Sequence, residues 1–199
     1  KRIDVLPPLS GPQAIPAGET IEIPFFAVLN SALQGLRSMT VSEGEVSVSA
    51  VTTGESEDSY PARVLVRGKN DWNGDVTLLK YFITPEDPAI LAATRSLLGA
   101  EGAALDTTDA RLHDFRRAKA LFEALSGRLL YVNDPRGSQD NVQYPSETLA
   151  LKGGDCDDLS VLFCSMLSSI GIRTAFIDVV PPDRPDLAHI YMMFDTEIP

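Results

Sequence analysis

The sequence predicts two domains: an all-β antiparallel sandwich over residues 1–84 and a mixed domain of helices and strands over 85–199. Period-two alternation of apolar and polar residues through 45–51 and 62–67 marks strands with one buried face. Beyond Thr84 the alternation gives way to helix-start signals and to apolar residues spaced three and four apart. Strand-like runs return only at 174–180 and 188–194.

In the first domain, strand-sized runs at 20–29, 36–41, 45–52, 62–67 and 75–83 are punctuated by Gly18, Gly44, Gly54 and Gly74, a pattern that fits an immunoglobulin-like sandwich. Trp72 precedes an Asn73-Gly74 turn signal and is expected to pack at the sheet edge. In the second domain, Asp87 as N-cap with Pro88 at the first helical position opens a helix that Gly99 ends. Thr107 or Thr108 opens a longer one, with Leu112, Phe115, Ala118, Leu121, Phe122 and Leu125 as its apolar stripe and Gly127 as its stop. Residues 133–143 are rich in Asp, Asn, Gly and Ser, which suits a functional loop. A third helix begins at Gly153-Gly154-Asp155-Cys156 and stops at Gly171. Its buried stripe is expected to be Leu159, Leu162, Phe163, Met166, Leu167 and Ile170. The two final runs can pair as a hairpin across the Pro-rich turn at Pro181-Pro182.

Composition bounds the function. The 199 residues carry a formal charge of −11, which argues against nucleic acid and anionic membrane as partners. No apolar run approaches the ~18 residues that span a bilayer, so no membrane insertion is expected. The chain starts at Lys1 without Met and ends just after a strand-like run, so it reads as part of something longer. An export signal removed upstream would place it outside the cytoplasm, in the periplasm or secreted. Cys156 and Cys164 are the only cysteines, too few for a disulfide scaffold or a four-cysteine metal site. Eight residues apart on one helix, they stand about 12 Å from each other, too far to bridge. Both are expected as free thiols, Cys164 as a small apolar core residue.

Chemistry concentrates at the third helix. Asp155 is placed to be its N-cap, and Asp158 to reach back as in a capping box. Cys156 then sits in the first turn, where unpaired backbone N–H groups and the helix dipole favour a thiolate and an oxyanion. Three flanking carboxylates oppose the thiolate, so a basic partner is required. Of the two histidines, His113 lies between Leu112 and Asp114 and reads as a solvated imidazole. His189 starts the last strand and can face the helix end, one solution for activating sulfur. Taken alone, a Cys and a His 33 positions apart favour structural roles for both. Tyr131, Gln143 and Tyr144 precede the Cys helix as candidate oxyanion donors, and spacing does not choose among them. Asp157 and Asp158 are explained by the first helical turn without a cation, and no metal or cofactor is expected.

Pro145-Ser146-Glu147-Thr148-Leu149, Lys152-Gly153-Gly154-Asp155-Cys156-Asp157-Asp158-Leu159, Gly171-Ile172 and His189-Ile190-Tyr191 together resemble the transglutaminase-like core. The resemblance covers about residues 85–199. It implies a papain-like α+β arrangement, with Cys156 as nucleophile and His189 as general base and acid. It also implies an orienting acid on the strand after the His strand; besides Glu197, Asp195 is the carboxylate near that region, but it lies on the histidine's own strand about 20 Å along, and a residue beyond 199 is the expected holder of that role. On this reading the chain is a cysteine peptidase or amidase acting on a peptide or protein amide. The alternative is a catalytically silent binding or assembly module on the same fold.

Overall fold

The computed structural model describes residues 13–23, 35–50, 56–100, 109, 112–133, 141–184 and 187–196. The chain divides into two compact units, Lys1–Asp71 and Trp72–Pro199.

In the first unit, Thr40–Ala50 (β1) pairs antiparallel with Ser56–Val66 (β2), in register from Thr40 opposite Val66 to Ala50 opposite Ser56. β1 joins the end of the expected 36–41 run to most of the 45–52 run, passing through Gly44 opposite Ala62 without a break. Residues 21–23 are not in a strand, and 24–29 of that expected run lie outside the described residues. Among the described residues the expected sandwich is therefore a single ribbon, with Val41, Tyr60 and Leu65 exposed. Alternation specifies the two faces of a strand, not what covers them.

The expected strand at 75–83 is instead a 3-10 helix, Val76–Tyr81. The cause is local: Asp75 Oδ1 accepts the Thr77 N–H at 3.0 Å and the Thr77 hydroxyl at 2.7 Å, capping a helical turn before a strand can extend. The Asn73-Gly74 turn does form, with Gly74 at φ +81°. Trp72 is 8% exposed and packs with Leu79, Phe82, Val142, Val161 and Ile190, while its Nε1 donates to Asp75 O at 2.9 Å. It is a core residue of the second unit rather than a sheet-edge residue, and this segment moves the division from 84 to 71.

The helices of the second unit follow their caps. Pro88–Ala100 (α1) starts as expected, with Asp87 Oδ1 accepting the Ala89 N–H at 2.8 Å. His113–Ser126 (α2) ends at Gly127; its expected start at 107 or 108 lies outside the described residues. Pro145–Leu151 (α3) is short, with Pro145 at its first position and Glu147 Oε2 accepting the Tyr144 N–H at 3.0 Å. Cys156–Ser168 (α4) is the central element, with Val161, Leu162, Cys164, Met166 and Leu167 fully buried. Ile90 and Leu97 of α1 and Ala118, Leu121 and Leu125 of α2 pack against Leu162, Met166 and Leu167, an apolar cluster whose burial is the main stabiliser of this unit. Thr174–Val179 (β5) and His189–Phe194 (β6) form the expected hairpin, Val179 opposite His189, and the Ser160 hydroxyl donates to Ile190 O at 3.4 Å to tie β6 to α4. No described helix is long and apolar enough to cross a membrane.

Candidate active site

The start of α4 is held from three sides. Leu130–Tyr131 (β3) and Gly153–Gly154 (β4) form a two-residue parallel ladder, with the Leu130 N–H on Lys152 O at 3.0 Å and the Val132 N–H on Gly154 O at 2.9 Å. Both glycines are needed for space. A Cβ on Gly153 would lie 2.8 Å from Leu130 O, and one on Gly154 would lie 2.5 Å from Asp158 Cβ. Asp158, 1% exposed, accepts the Asp155 N–H at 3.3 Å and the Gln143 N–H at 2.6 Å, so the expected reach-back forms and also pins the preceding loop.

Cys156 is half-buried at the first helical position. Burial pushes its thiol up from the ordinary value; the charges of Asp157 and Asp155 push the same way, while hydrogen bonds from the Ile190 N–H and the Tyr131 hydroxyl pull it down. The thiol is therefore neutral near pH 7, and burial with like charge outweighs the helix end. Burial likewise pushes Asp157, 3% exposed, well above the carboxylate range, reinforced by its hydrogen bond with the Asp155 carboxyl and by the charges of Asp155 and Asp158. Asp155 Oδ1 and Asp157 Oδ2 are buried with no other partner among the described residues, which one shared proton satisfies. Asp155, Cys156 and Asp157 each bring a potential ligand atom within 4.8 Å of the others.

Cys156 and His189 line one cavity of about 600 Å³, bounded by α2, α4, β3 and β6. The imidazole stands edge-on to Tyr191, ring centres 4.5 Å apart, and stacks on Tyr131 at 6.5 Å. A direct hydrogen bond from the Cys156 sulfur to the imidazole is the expectation for this pair; the structure places both side chains on the wall of the same cavity. Asp195 does not reach the imidazole. It sits past the far end of β6, about 20 Å along an extended chain, paired with Arg173 at 2.5 Å.

Residues 102–194 match the transglutaminase-like superfamily. The match spans the Cys helix and the His strand, in accord with the Gly-Asp-Cys-Asp-Asp resemblance. No curated protein matches the chain. Two solved structures are similar: a candidate protease from Parabacteroides distasonis (12% identity, TM-score 0.41, covering 73% of this chain and 32% of that one) and a candidate cysteine protease from Cytophaga hutchinsonii (13%, 0.35, 83% and 63%). This chain thus spans about a third of the first and under two thirds of the second.

The transglutaminase-like segment contains walls that sequence reasoning assigned to the core. Phe115 and Phe122 of the α2 stripe, with Phe163 of α4, line the cavity, and Phe122 is 60% exposed. The stripe of α2 is wide enough to serve two surfaces, with Leu121 and Leu125 turned to the core. Of the three candidate oxyanion donors, only Tyr131 lines the cavity. Tyr144 caps α3 and lays its ring 5.3 Å from Phe82, and Gln143 is held by Asp158.

Proposed function

We propose that this chain is a cysteine-dependent acyl-transfer enzyme of the peptidase or amidase kind, with a peptide or protein amide as substrate. The observation that supports it is a thiol at a helix start and an imidazole on the wall of one cavity, inside a transglutaminase-like segment. Because the thiol is neutral at rest, its proton must leave as sulfur attacks, and His189 is the base in range of the same space. The sulfur bonds the amide carbon, the carbonyl oxygen takes the negative charge, and the imidazolium returns the proton to the departing amine as the C–N bond breaks. Water, deprotonated by the same imidazole, then cleaves the thioester. For the N-terminal unit, the β1–β2 ribbon is consistent with an accessory β-rich role.

A raised thiol also favours a second reading, a silent binding module on the same fold. Release of new amino termini from a mixed peptide pool separates the two. The enzyme reading expects turnover that Cys156→Ala and His189→Ala each abolish. No turnover in the unaltered chain, or turnover that survives Cys156→Ala, refutes it.

A further inference from the structure

The side that α4 turns to the cavity is separate from the side that it turns to the core. Cys156, Leu159, Ser160 and Phe163 line the cavity, and their spacing of three, four and seven makes one stripe. At about 1.5 Å per residue, that stripe leads away from the sulfur for about 10 Å. Leu162, Met166 and Leu167 meanwhile fill the core. The helix α2 repeats the division: Leu121 and Leu125 are core, whereas Phe115, Lys119 and Phe122 line the cavity. From β6 come Ile190, Met192 and Phe194, which a two-residue period puts on one face of the strand. The result is a groove that begins at the Cys156 sulfur and is walled by aromatic and aliphatic carbon. Away from Tyr131, His189 and Tyr191, its polar side chains are already engaged, Ser160 with Ile190 O at 3.4 Å and Lys119 with Glu123 at 2.8 Å. Phe115 and Phe122 stay exposed, so an apolar occupant would take from water the surface that folding left there.

We propose that this groove selects the residue that supplies the attacked carbonyl, that this residue carries a large uncharged side chain, aromatic or long aliphatic, and that Phe122 is the main determinant of the choice. The inference rests on the acyl-transfer reading and names the substrate class of that same site. The carbonyl side follows from the chemistry. In the thioester the Cα of the acyl residue is two bonds from the sulfur, so its side chain starts where the groove starts, whereas the departing amine has no such tether. The cavity of about 600 Å³ falls in the range of ~300–1,000 Å³ that accommodates organic ligands, ample for one large side chain. A charged side chain would lose its hydration there without compensation, because no carboxylate lines the cavity among the described residues and its one lysine is held by Glu123. Phe122 weighs most because it is the most exposed of the three phenylalanines. Its ring already stands edge-on to Phe163, centres 6.0 Å apart, so a substrate ring would extend an existing aromatic pair.

Coumarin amides of the form acetyl-Ala-X-aminomethylcoumarin vary the residue X on the carbonyl side at a constant leaving group. Their kcat/KM should be at least about 30-fold higher with Phe or Leu at X than with Ala, and lowest with Glu and Lys. Phe122→Arg removes the ring and brings a cation: the preference for Phe over Ala should fall at least about fivefold while that for Glu over Ala rises, a reversal that mere loss of fold does not produce. Leu151→Arg makes the same kind of change at an exposed position outside the cavity and should leave both ratios as they were. Chloromethyl ketones of acetyl-Phe and acetyl-Ala read the groove without turnover, and alkylation of Cys156 should be at least about tenfold faster with the former. Equal kcat/KM for Phe and Ala at X, or selection set by the residue on the amine side alone, overturns the inference while the acyl-transfer reading stands. Phe-selective alkylation with no amide turned over sinks the acyl-transfer reading but upholds the preference of the groove. Neither turnover nor selective alkylation sinks both.

Discussion

Gly154→Ala tests whether the turn before Cys156 is as crowded as its geometry implies. The added Cβ would sit 2.5 Å from Asp158 Cβ and 2.6 Å from Asp158 Oδ2, and Cβ atoms are not the movable end of a side chain. Gly154 is not among the positive-φ glycines, so backbone strain does not enter and the effect is steric alone. Two relaxations are available. Either the overlap is absorbed in place, at about 1–3 kcal/mol for overpacking, or Asp158 withdraws and gives up its hydrogen bonds from Asp155 and Gln143, at about 1.5–3 kcal/mol for each bond to a charged group. The cheaper route sets the result, which is therefore about 2 kcal/mol. For a unit of this size that corresponds to a fall in Tm of roughly 5–10 °C. Urea denaturation followed by fluorescence measures it directly, since the single tryptophan of the chain, Trp72, is buried in the same unit beside Val161. Iodoacetamide labelling of Cys156 should change in parallel, because the displaced segment carries the helix start. A midpoint shift equivalent to less than about 0.5 kcal/mol would mean that the β4 backbone yields freely, and the account of the double glycine would be wrong.

Three other outcomes follow from the packing and charges of the second unit. Asp157 has a folded-state pKa raised above its unfolded value, so its contribution to stability is fully present below about pH 4 and is lost as pH rises through its folded value at about 9; Asp157→Asn should flatten the decline of the urea midpoint between those limits, and an unchanged slope would refute the shared-proton account. Leu162→Ala, removing a fully buried side chain between α1, α2 and β6, should cost about 2–5 kcal/mol by urea denaturation, whereas a cost under 1 kcal/mol would place the centre of the core elsewhere. Asp195→Asn should leave turnover within about twofold and stability within about 1 kcal/mol, because its partner is the exposed Arg173; a loss near the ~10⁴ seen when an orienting acid is disabled would return Asp195 to the catalytic group.

What could be read from the sequence was what neighbours in sequence decide. Asp155 and Asp158 cap α4 as their three-residue spacing requires, Asp87 and Pro88 start α1, and the β5–β6 hairpin forms across its Pro-rich turn. The errors arose where a short-range competitor or a distant partner decided. Asp75 captures Thr77 and turns an apparent strand into a 3-10 helix, which in turn carries Trp72 into the second unit. The helix α3 is only seven residues, too short for periodicity to reveal, although Pro145 with Glu147 two residues later was a usable sign of its start. Tyr131 could not be chosen over Gln143 and Tyr144 from spacing, because its place depends on a parallel ladder to residues more than twenty positions away.

That ladder has a bearing on redesign. It is built from main-chain groups alone, and the side chains of Leu130 and Val132 that flank Tyr131 point to solvent. Their chemistry is therefore open to exchange: a polar residue to remove two greasy surface positions, or a cysteine-free attachment point for a dye that reports on the cavity. Proline is the substitution to avoid at either place, since it would delete an N–H of the ladder that fixes Tyr131 on the cavity wall.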